Sequence, residues 1–106
     1  MSNYDLVVRS NYTDFAETFE FYADGELMNI DDWAIYCEVR DLQGNLIVTP
    51  EIYKGVGLIV LKVPSETMRL VKPGIYRYDI KRVENDFSTV LFGGRFIVNE
   101  GVTRTP

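Results

Sequence analysis

Hydrophobic and polar positions alternate with a period of two along most of the chain, and turn residues separate the alternating segments. Such a pattern predicts β-strands with one buried face. The segment from Tyr76 to Lys81 is the clearest case, because Tyr76, Tyr78 and Ile80 fall in one phase and Arg77, Asp79 and Lys81 in the other. The 3.6-residue period of a helix is missing from every long window. A single helical turn is predicted over residues 65–70, with Ser65 as its N-cap.

About seven or eight such strands fit into the 106 residues. Parallel strand pairs need crossover segments that the chain lacks, so all pairs are expected to be antiparallel. The fold class is therefore predicted as all-β, an antiparallel two-sheet β-sandwich of the immunoglobulin-like type. A small closed barrel is the alternative. Residues 1–101 are expected to form a single domain, and residues 102–106 a short polar tail.

Two aromatic residues are predicted to be structural. Tyr76 follows a Pro-Gly turn at the start of a late strand, which is the placement of a tyrosine corner, so its hydroxyl should bond to backbone between Met68 and Val71. Trp33 opens a strand and should pack in the core. Gly93 and Gly94 predict a bulge or bend in the last strand. The expected core consists of Leu6, Val8, Phe19, Phe21, Trp33, Ile35, Cys37, Val39, Ile59, Leu61, Tyr76, Tyr78, Ile80, Val90, Phe96 and Val98.

The residue types that carry most catalysis are scarce. The chain has no histidine and one cysteine, Cys37, so it lacks the usual general base, the Ser-His and Cys-His relays and the ligands of a zinc site. Phosphate-binding and dinucleotide motifs are also missing. The sequence therefore predicts a protein that is not an enzyme and uses no cofactor or metal. Calcium is a weaker interpretation of the acidic cluster formed by Asp24, Glu26, Asp31 and Asp32, and a solvated loop is favoured.

Charge is distributed unevenly along the sequence. Residues 1–53 contain eleven acids and two bases, a net charge of −9, whereas residues 54–106 contain five acids and nine bases, a net charge of +4. Interleaved strands could mix these charges over the surface. The alternative is that unlike surfaces meet when copies of the chain associate. Nucleic acid is not an expected partner of a chain with net charge −5, and neither is a membrane, because no apolar run approaches the ~18 residues of a spanning helix and no secretion signal is recognised at the start.

The order of motifs resembles a family of small virion proteins. These motifs are a Phe-rich segment ending in residues 22–25, the strand of residues 33–44, the turn and strand of residues 73–80, and the closing segments 91–98 and 101–104. In this order they resemble the immunoglobulin-like β-sandwich structural proteins of tailed bacteriophages and prophages, which are baseplate, neck or tail-fibre modules. The resemblance implies a non-catalytic structural or attachment protein of the virion, assembled in the host bacterial cytoplasm.

Its partners would then be other virion proteins and further copies of itself. The residues expected at such interfaces are Leu58, Val60, Tyr36, Tyr53, Asp31, Asp32, Arg77 and Lys81. The alternative function is a carbohydrate-binding module for host-surface glycans, which would stack sugars on exposed aromatic rings. The candidate rings for that role are Tyr12, Tyr22, Tyr36 and Tyr53.

Overall fold

Residues 2–104 are described by a computed structural model of the chain, in which strands dominate. The elements follow in the order β1 (Ser2–Asn3), β2 (Leu6–Val8), β3 (Phe15–Glu20), β4 (Tyr22–Ala23), β5 (Glu26–Leu27), β6 (Ala34–Arg40), β7 (Leu46–Val48), β8 (Glu51–Gly55), β9 (Leu58–Val63), α1 (Ser65–Met68), β10 (Gly74–Glu84) and β11 (Phe87–Val98). The larger sheet has the order β1-β11-β10-β6-β7, with β2 also paired to β11, and the smaller sheet has the order β3-β9-β8. Strands β4 and β5 form a separate small hairpin.

This arrangement confirms the predicted all-β, two-sheet fold. If β1 and β2 are taken as one interrupted strand and the β4–β5 hairpin is set aside, eight strands build the two sheets. A three-stranded sheet facing a sheet that joins the first and last strands of the chain is the immunoglobulin-like plan. The expectation that every pair is antiparallel was wrong, because β1 and β2 run parallel to β11. No local crossover is needed there, since the whole domain separates these strands.

The predicted details differ at two places. The residue that caps α1 is Pro64, which makes no side-chain cap bond, and not Ser65. The Ser65 amide instead donates to the carboxylate of Asp14, at 2.6 Å. The register shift in the last hairpin lies between Ile80 and Lys81, not at the two glycines.

Gly94 is required for another reason. A Cβ atom there would lie 2.6 Å from the carbonyl oxygen of Tyr4. The glycine therefore lets the first strand segments cross close to β11.

The two sheets bury a continuous apolar core between them. Of the sixteen residues predicted for it, fourteen are buried, whereas Ile35 and Val90 are only half-buried. Ile35 lies near the start of β6, and Val90 lies beside the register shift of the last hairpin, where side chains leave the regular alternation. Six further core residues were not predicted: Phe15, Ile30, Val48, Val63, Met68 and Val71.

Tyr76 and Trp33 both have structural contacts. The Tyr76 hydroxyl donates a hydrogen bond to the carbonyl of Lys72, one residue beyond the predicted stretch. The Trp33 ring is buried, meets Phe21 edge-on at 5.3 Å between centroids, and has the Arg82 guanidinium 4.4 Å from its centroid on the other side. Each aromatic residue therefore connects the core to a neighbouring loop or rim.

The end of the chain turns back onto the domain as far as it is described. The Arg104 guanidinium lies 5.3 Å from the Tyr12 ring centroid and 3.2 Å from a carboxylate oxygen of Glu100. The last two residues of the predicted tail, Thr105 and Pro106, lie outside the described residues.

Candidate protein interface

The outer face of the larger sheet carries most of its charge in two adjacent rows. Alternation along each strand turns one phase outward, and the register then decides which outward residues become neighbours. Arg77 of β10 lies opposite Arg40 of β6 on one side and Arg95 of β11 on the other. Three arginines therefore stand side by side across three strands, and we call them the arginine row.

The two outer arginines of this row are already paired. Arg95 contacts Asp5 through Nη2 and Nε at 2.8 and 3.1 Å, and its backbone amide donates to the same carboxylate at 3.0 Å. These bonds hold the pKa of Asp5 below its ordinary value. Arg40 contacts Glu38 at 2.8 Å and donates to the Gly44 carbonyl at 2.9 Å. Both guanidinium groups are thus positioned before any partner arrives.

The central arginine is different. Among residues 2–104, no carboxylate lies within ion-pair distance of Arg77, and its side chain is exposed. Like charges directly opposite each other on a sheet repel. The outer two are compensated, so Arg77 is the member of the row left to attract an anionic group from outside.

Shallow grooves surround the row. One of about 570 Å³ is lined by all three arginines together with Asn3, Asp5, Glu38, Tyr78, Asp79, Gly93 and Gly94. A second of about 580 Å³ lies along β6 and includes Tyr36, Lys81 and Pro50. Glu38 and Asp79 line both grooves, because they face each other across β6 and β10. The arginine row therefore borders an acidic row formed by these two residues.

The other side of the arginine row is apolar. Val7, Ile97 and Ile75 are neighbours across β2, β11 and β10. Val7 and Ile75 are each about half exposed, at 50% and 51%. Apolar, basic and acidic rows thus follow one another on a single sheet face, which is a combination suited to an interface with a polar rim.

The predicted interface residues fall into three separate regions. Arg77, Lys81 and Tyr36 share the outer face of the larger sheet. Leu58, Val60 and Tyr53 lie on the outer face of the smaller sheet, where Val60 pairs with Tyr53 and Leu58 with Gly55. Asp31 and Asp32 lie in the connection that leads into β6. The fold therefore does not bring these eight residues together on one surface.

The outer face of the smaller sheet is only partly open. Leu58 and Val60 lie on this face and are half-buried. Exposed tyrosines near this face are each bonded to an acid two residues earlier in the chain, Tyr22 to Glu20 at 2.7 Å and Tyr53 to Glu51. Of the candidate sugar platforms, Tyr36 lies on the other sheet, and the ring of Tyr12 lies beside Arg104.

The sequence analysis missed Arg40, Arg95 and Asp5 as interface residues. Alternation alone places each of them in the outward phase of its strand. Their alignment with Arg77 depends on which strands are neighbours and in what register, which alternation does not determine. Asp5 belongs to the bend between β1 and β2, and its partner Arg95 lies ninety positions later.

The described residues also bear on metal binding, thiol chemistry and membrane insertion. Among the described residues, no group of three or more His, Cys, Asp or Glu side chains is placed to hold a metal ion, the acidic cluster included. Burial raises the pKa of the Cys37 thiol to about 12, with a further contribution from the charge of Asp79. A thiol with so high a pKa is a poor nucleophile at neutral pH. In the same residues no helix is both long and apolar enough to cross a membrane.

No protein-family model and no curated protein matches the chain. Several solved structures are distantly similar to the chain, among them the following three. CopC from Methylosinus trichosporium OB3b shares 12% identity over 93% of this chain and 89% of its own, with a TM-score of 0.48. The M1 domain from titin shares 13% sequence identity over 98% of this chain and 95% of its own, with a TM-score of 0.42. A family 123 glycoside hydrolase from Clostridium perfringens shares 15% over 96% of this chain and 24% of its own, with a TM-score of 0.39. Likeness at this level carries nothing about function.

Proposed function

We propose that this chain is a non-catalytic structural or attachment domain that acts through protein–protein contacts. Its place would be the virion of a tailed bacteriophage or prophage, in the tail, baseplate or neck, with assembly in the host bacterial cytoplasm. The observation that carries the contact role is the arginine row, in which paired outer arginines flank an exposed Arg77 that has no ion-pair partner within residues 2–104.

Physical chemistry favours a protein partner for this row. Arginine is enriched at interfaces and binds carboxylates with two parallel hydrogen bonds. Because Arg40 and Arg95 are held by carboxylates and by a backbone carbonyl, little side-chain freedom remains to be lost on binding. The neighbouring apolar row of Val7, Ile97 and Ile75 would supply the buried contact area. A partner with a carboxylate beside a small apolar patch fits this face.

The virion assignment rests on the resemblance of the motif order. A sandwich that presents a flat, charged sheet face and contains a buried, protonated cysteine also agrees with a structural role. Partners would be other virion structural proteins and further copies of the chain. Nucleic acid and membrane are not among the proposed partners.

Co-purification tests this proposal. The tagged chain would be produced together with the products of the adjacent genes, and complexes would be isolated by size-exclusion chromatography. We expect a neighbouring virion protein to co-elute, and Arg77→Glu to reduce its recovery at least tenfold. The matched control is Lys62→Glu, which makes the same charge change on the outer face of the smaller sheet. Equal loss in both variants, or no co-eluting neighbour, would contradict the proposal.

The alternative function, recognition of host-surface glycans, is favoured by one observation. Tyr22 and Tyr53 are exposed aromatic rings whose hydroxyls bond to Glu20 and Glu51. In such a pair the ring face can stack on a sugar, and the carboxylate can accept hydrogen bonds from the hydroxyl groups of that sugar. Binding on a glycan array that Tyr53→Ala or Tyr22→Ala abolishes, and that Arg77→Glu leaves intact, would favour this function instead.

A further inference from the structure

The two ends of the sandwich carry exposed apolar side chains with neighbouring charges of opposite sign. At one end, the β10–β11 turn exposes Phe87, which is 71% accessible and adjoins Asp86 and Glu84, the latter paired with Arg82 at 2.7 Å. At the other end, the corner after α1 exposes Leu70, which is 84% accessible and lies between Arg69 and Lys72. We call these the acidic tip and the basic corner.

The two features lie at opposite ends because β10 separates them. The basic corner directly precedes the first residue of β10, and the acidic tip follows its last residue. A strand of eleven residues spans roughly 36 Å, which is most of the 43 Å longest dimension of the domain. The charges that flank Phe87 and Leu70 therefore differ in sign at the two ends of β10.

The neighbouring charges also differ between the two ends. Asp24, Glu26, Asp31 and Asp32 lie in the turns and connections at the end of the acidic tip. Among residues 2–104 these four acids and Asp86 make no ion pair, and the Lys54 ammonium near them donates to the backbone carbonyls of Asp31 and Trp33. At the opposite end Arg9, Arg69 and Lys72 make no ion pair, and neither do Asp14, Asp41 and Glu66. Acids thus outnumber bases at the end of the acidic tip, whereas at the basic corner the positive charge is local to the residues that flank Leu70.

Both features are held rigidly. Asn85 and Asp86 have φ angles of 49° and 64°, the left-handed pair of a two-residue hairpin turn that matches strand twist. The basic corner is fixed by the bond from Tyr76 to the Lys72 carbonyl and by the buried side chain of Val71. Rigid partners lose little conformational entropy when they dock.

We infer that copies of this chain stack head to tail, with the acidic tip of one copy on the basic corner of the next. Phe87 and Leu70 supply the apolar contact, and the flanking charges orient it. This contact is heterologous, since each copy uses two different surfaces, so it propagates into a filament or closes into a ring. The inference rests on the proposed role as an assembly domain and names one of its partners as a second copy.

The strength of the contact is limited by its area. A cross-section of 29 × 19 Å offers at most about 550 Å² per copy, below the ~800 Å² of a standard interface. The expected dissociation constant in solution is therefore on the order of 0.1 to 1 mM. Screening at ~1 M salt should weaken association at least tenfold.

Sedimentation equilibrium at up to about 2 mM chain in low salt tests the inference. We expect the wild type to form dimers and longer species, and Phe87→Ser and Leu70→Ser each to be monomeric. An equimolar mixture of the two variants should form 1:1 dimers and nothing larger, because one intact tip and one intact corner remain. The matched control is Tyr53→Ser, which changes a side chain that is 53% exposed in the middle of β8, away from both ends of the sandwich, and should associate like the wild type.

Three results would overturn the inference: a wild type that stays monomeric, variants that associate normally, or a mixture that does not form dimers. The outcome is separable from that of the proposed function. If stacking is absent while Arg77-dependent co-purification persists, the head-to-tail contact is wrong and the heteromeric role stands. If co-purification fails while the mixture forms dimers, stacking stands by itself.

Discussion

The hydroxyl of Tyr78 donates a hydrogen bond to the backbone carbonyl of Tyr4, seventy-four positions earlier in the chain. Tyr78 lies on β10 in the core, so this bond fastens the bend between β1 and β2 to the centre of the larger sheet. On the opposite side of the bend, the Tyr4 amide donates to the Gly93 carbonyl at 2.9 Å. The backbone amide and the backbone carbonyl of Tyr4 thus both hold the first strand segments in place.

Replacing Tyr78 by phenylalanine should loosen this bend. We expect Tyr78→Phe to lower the free energy of unfolding by about 1 to 2 kcal/mol, because the Tyr4 carbonyl loses its side-chain partner in a partly buried place. Denaturant titration measures the change. Hydrogen exchange localises it, since the amides of Leu6 and Val8 should exchange faster while those of β9 remain protected. An unchanged midpoint would show that solvent replaces the bond at no cost.

The tyrosine corner gives a second prediction. Tyr76→Phe removes the donor that bonds to the Lys72 carbonyl, and the expected cost is about 1 kcal/mol. The main effect should be faster exchange of the amides around Arg69 and Leu70, because the bond fixes the corner between α1 and β10. A variant with normal exchange in that corner would assign the ordering to Val71 and not to Tyr76.

Gly94 should tolerate no side chain without a shift of the first strands. A Cβ atom there would approach the Tyr4 carbonyl oxygen to 2.6 Å, and backbone cannot move aside as a side chain can. We expect Gly94→Ala to cost about 2 to 3 kcal/mol. The matched control is Gly55→Ala, where the nearest atom is the end of the flexible Leu58 side chain at 2.9 Å. Equal losses in thermal or denaturant unfolding would contradict this reading of Gly94.

Cys37 should make the fold sensitive to alkaline pH. Burial raises the pKa of its thiol from 9.0 to about 12, so the folded chain keeps a proton that the unfolded chain releases above pH 9. Unfolding is therefore favoured as pH rises from 9 towards 12, by up to about 1.4 kcal/mol per pH unit. Cys37→Ala should have a shallower slope of unfolding free energy between pH 9 and 10, and the titration of the tyrosines, which both chains contain, cancels in the comparison. Comparing slopes removes the cost of the cavity, and equal slopes would refute the prediction.

The pair of Asp5 and Arg95 can be followed by titration. Arg95 holds the pKa of Asp5 below its ordinary value, mainly through the side-chain hydrogen bonds and then through the Arg95 amide. In Arg95→Gln the pKa of Asp5 should rise towards its ordinary range, while part of the depression remains because the amide bond is kept. Carbon-detected NMR of the carboxylate measures both values. Asp41, whose pKa is lowered by hydrogen bonds from the Asn45 amide and side chain, provides an internal reference that should not change.

The sequence predicted those features that depend on local alternation. Leu61, Phe96 and Ile80 lie in the buried phase of their strands, as expected. The arginine row could not be predicted in this way, because Arg77 becomes the neighbour of Arg40, thirty-seven positions earlier, and of Arg95, eighteen positions later, only through two strand pairings. The alternation gives the face on which each arginine lies, but it contains no information on register. The difference in charge between the two ends of the sandwich escaped prediction for the same reason.

Other features were not predicted because a distant side chain takes the place of a local group as a hydrogen-bond partner. A serine after a proline normally predicts a helix cap, yet at Ser65 the acceptor comes from Asp14, fifty-one positions away. Asn11 is buried, and its side-chain oxygen accepts from the Gly101 amide at 2.9 Å, a bond across ninety positions. Hydrogen bonds of this kind satisfy backbone amides in the connections at one end of the sandwich, and no local sequence pattern predicts them.

The parallel pairing of β2 with β11 has a consequence for how the chain folds during synthesis. Leu6 aligns with Phe96, ninety positions later, so at ribosomal rates of ~5 to 20 residues per second the first strand waits roughly 5 to 18 seconds for its partner to be translated. During that interval Leu6 and Val8, which end up 1% and 2% exposed, have no strand to cover them. Pairing across such a separation also slows the final folding step. Nascent chains halted before β11 should therefore be protease-sensitive at their first residues, and chaperone access should matter most in those seconds.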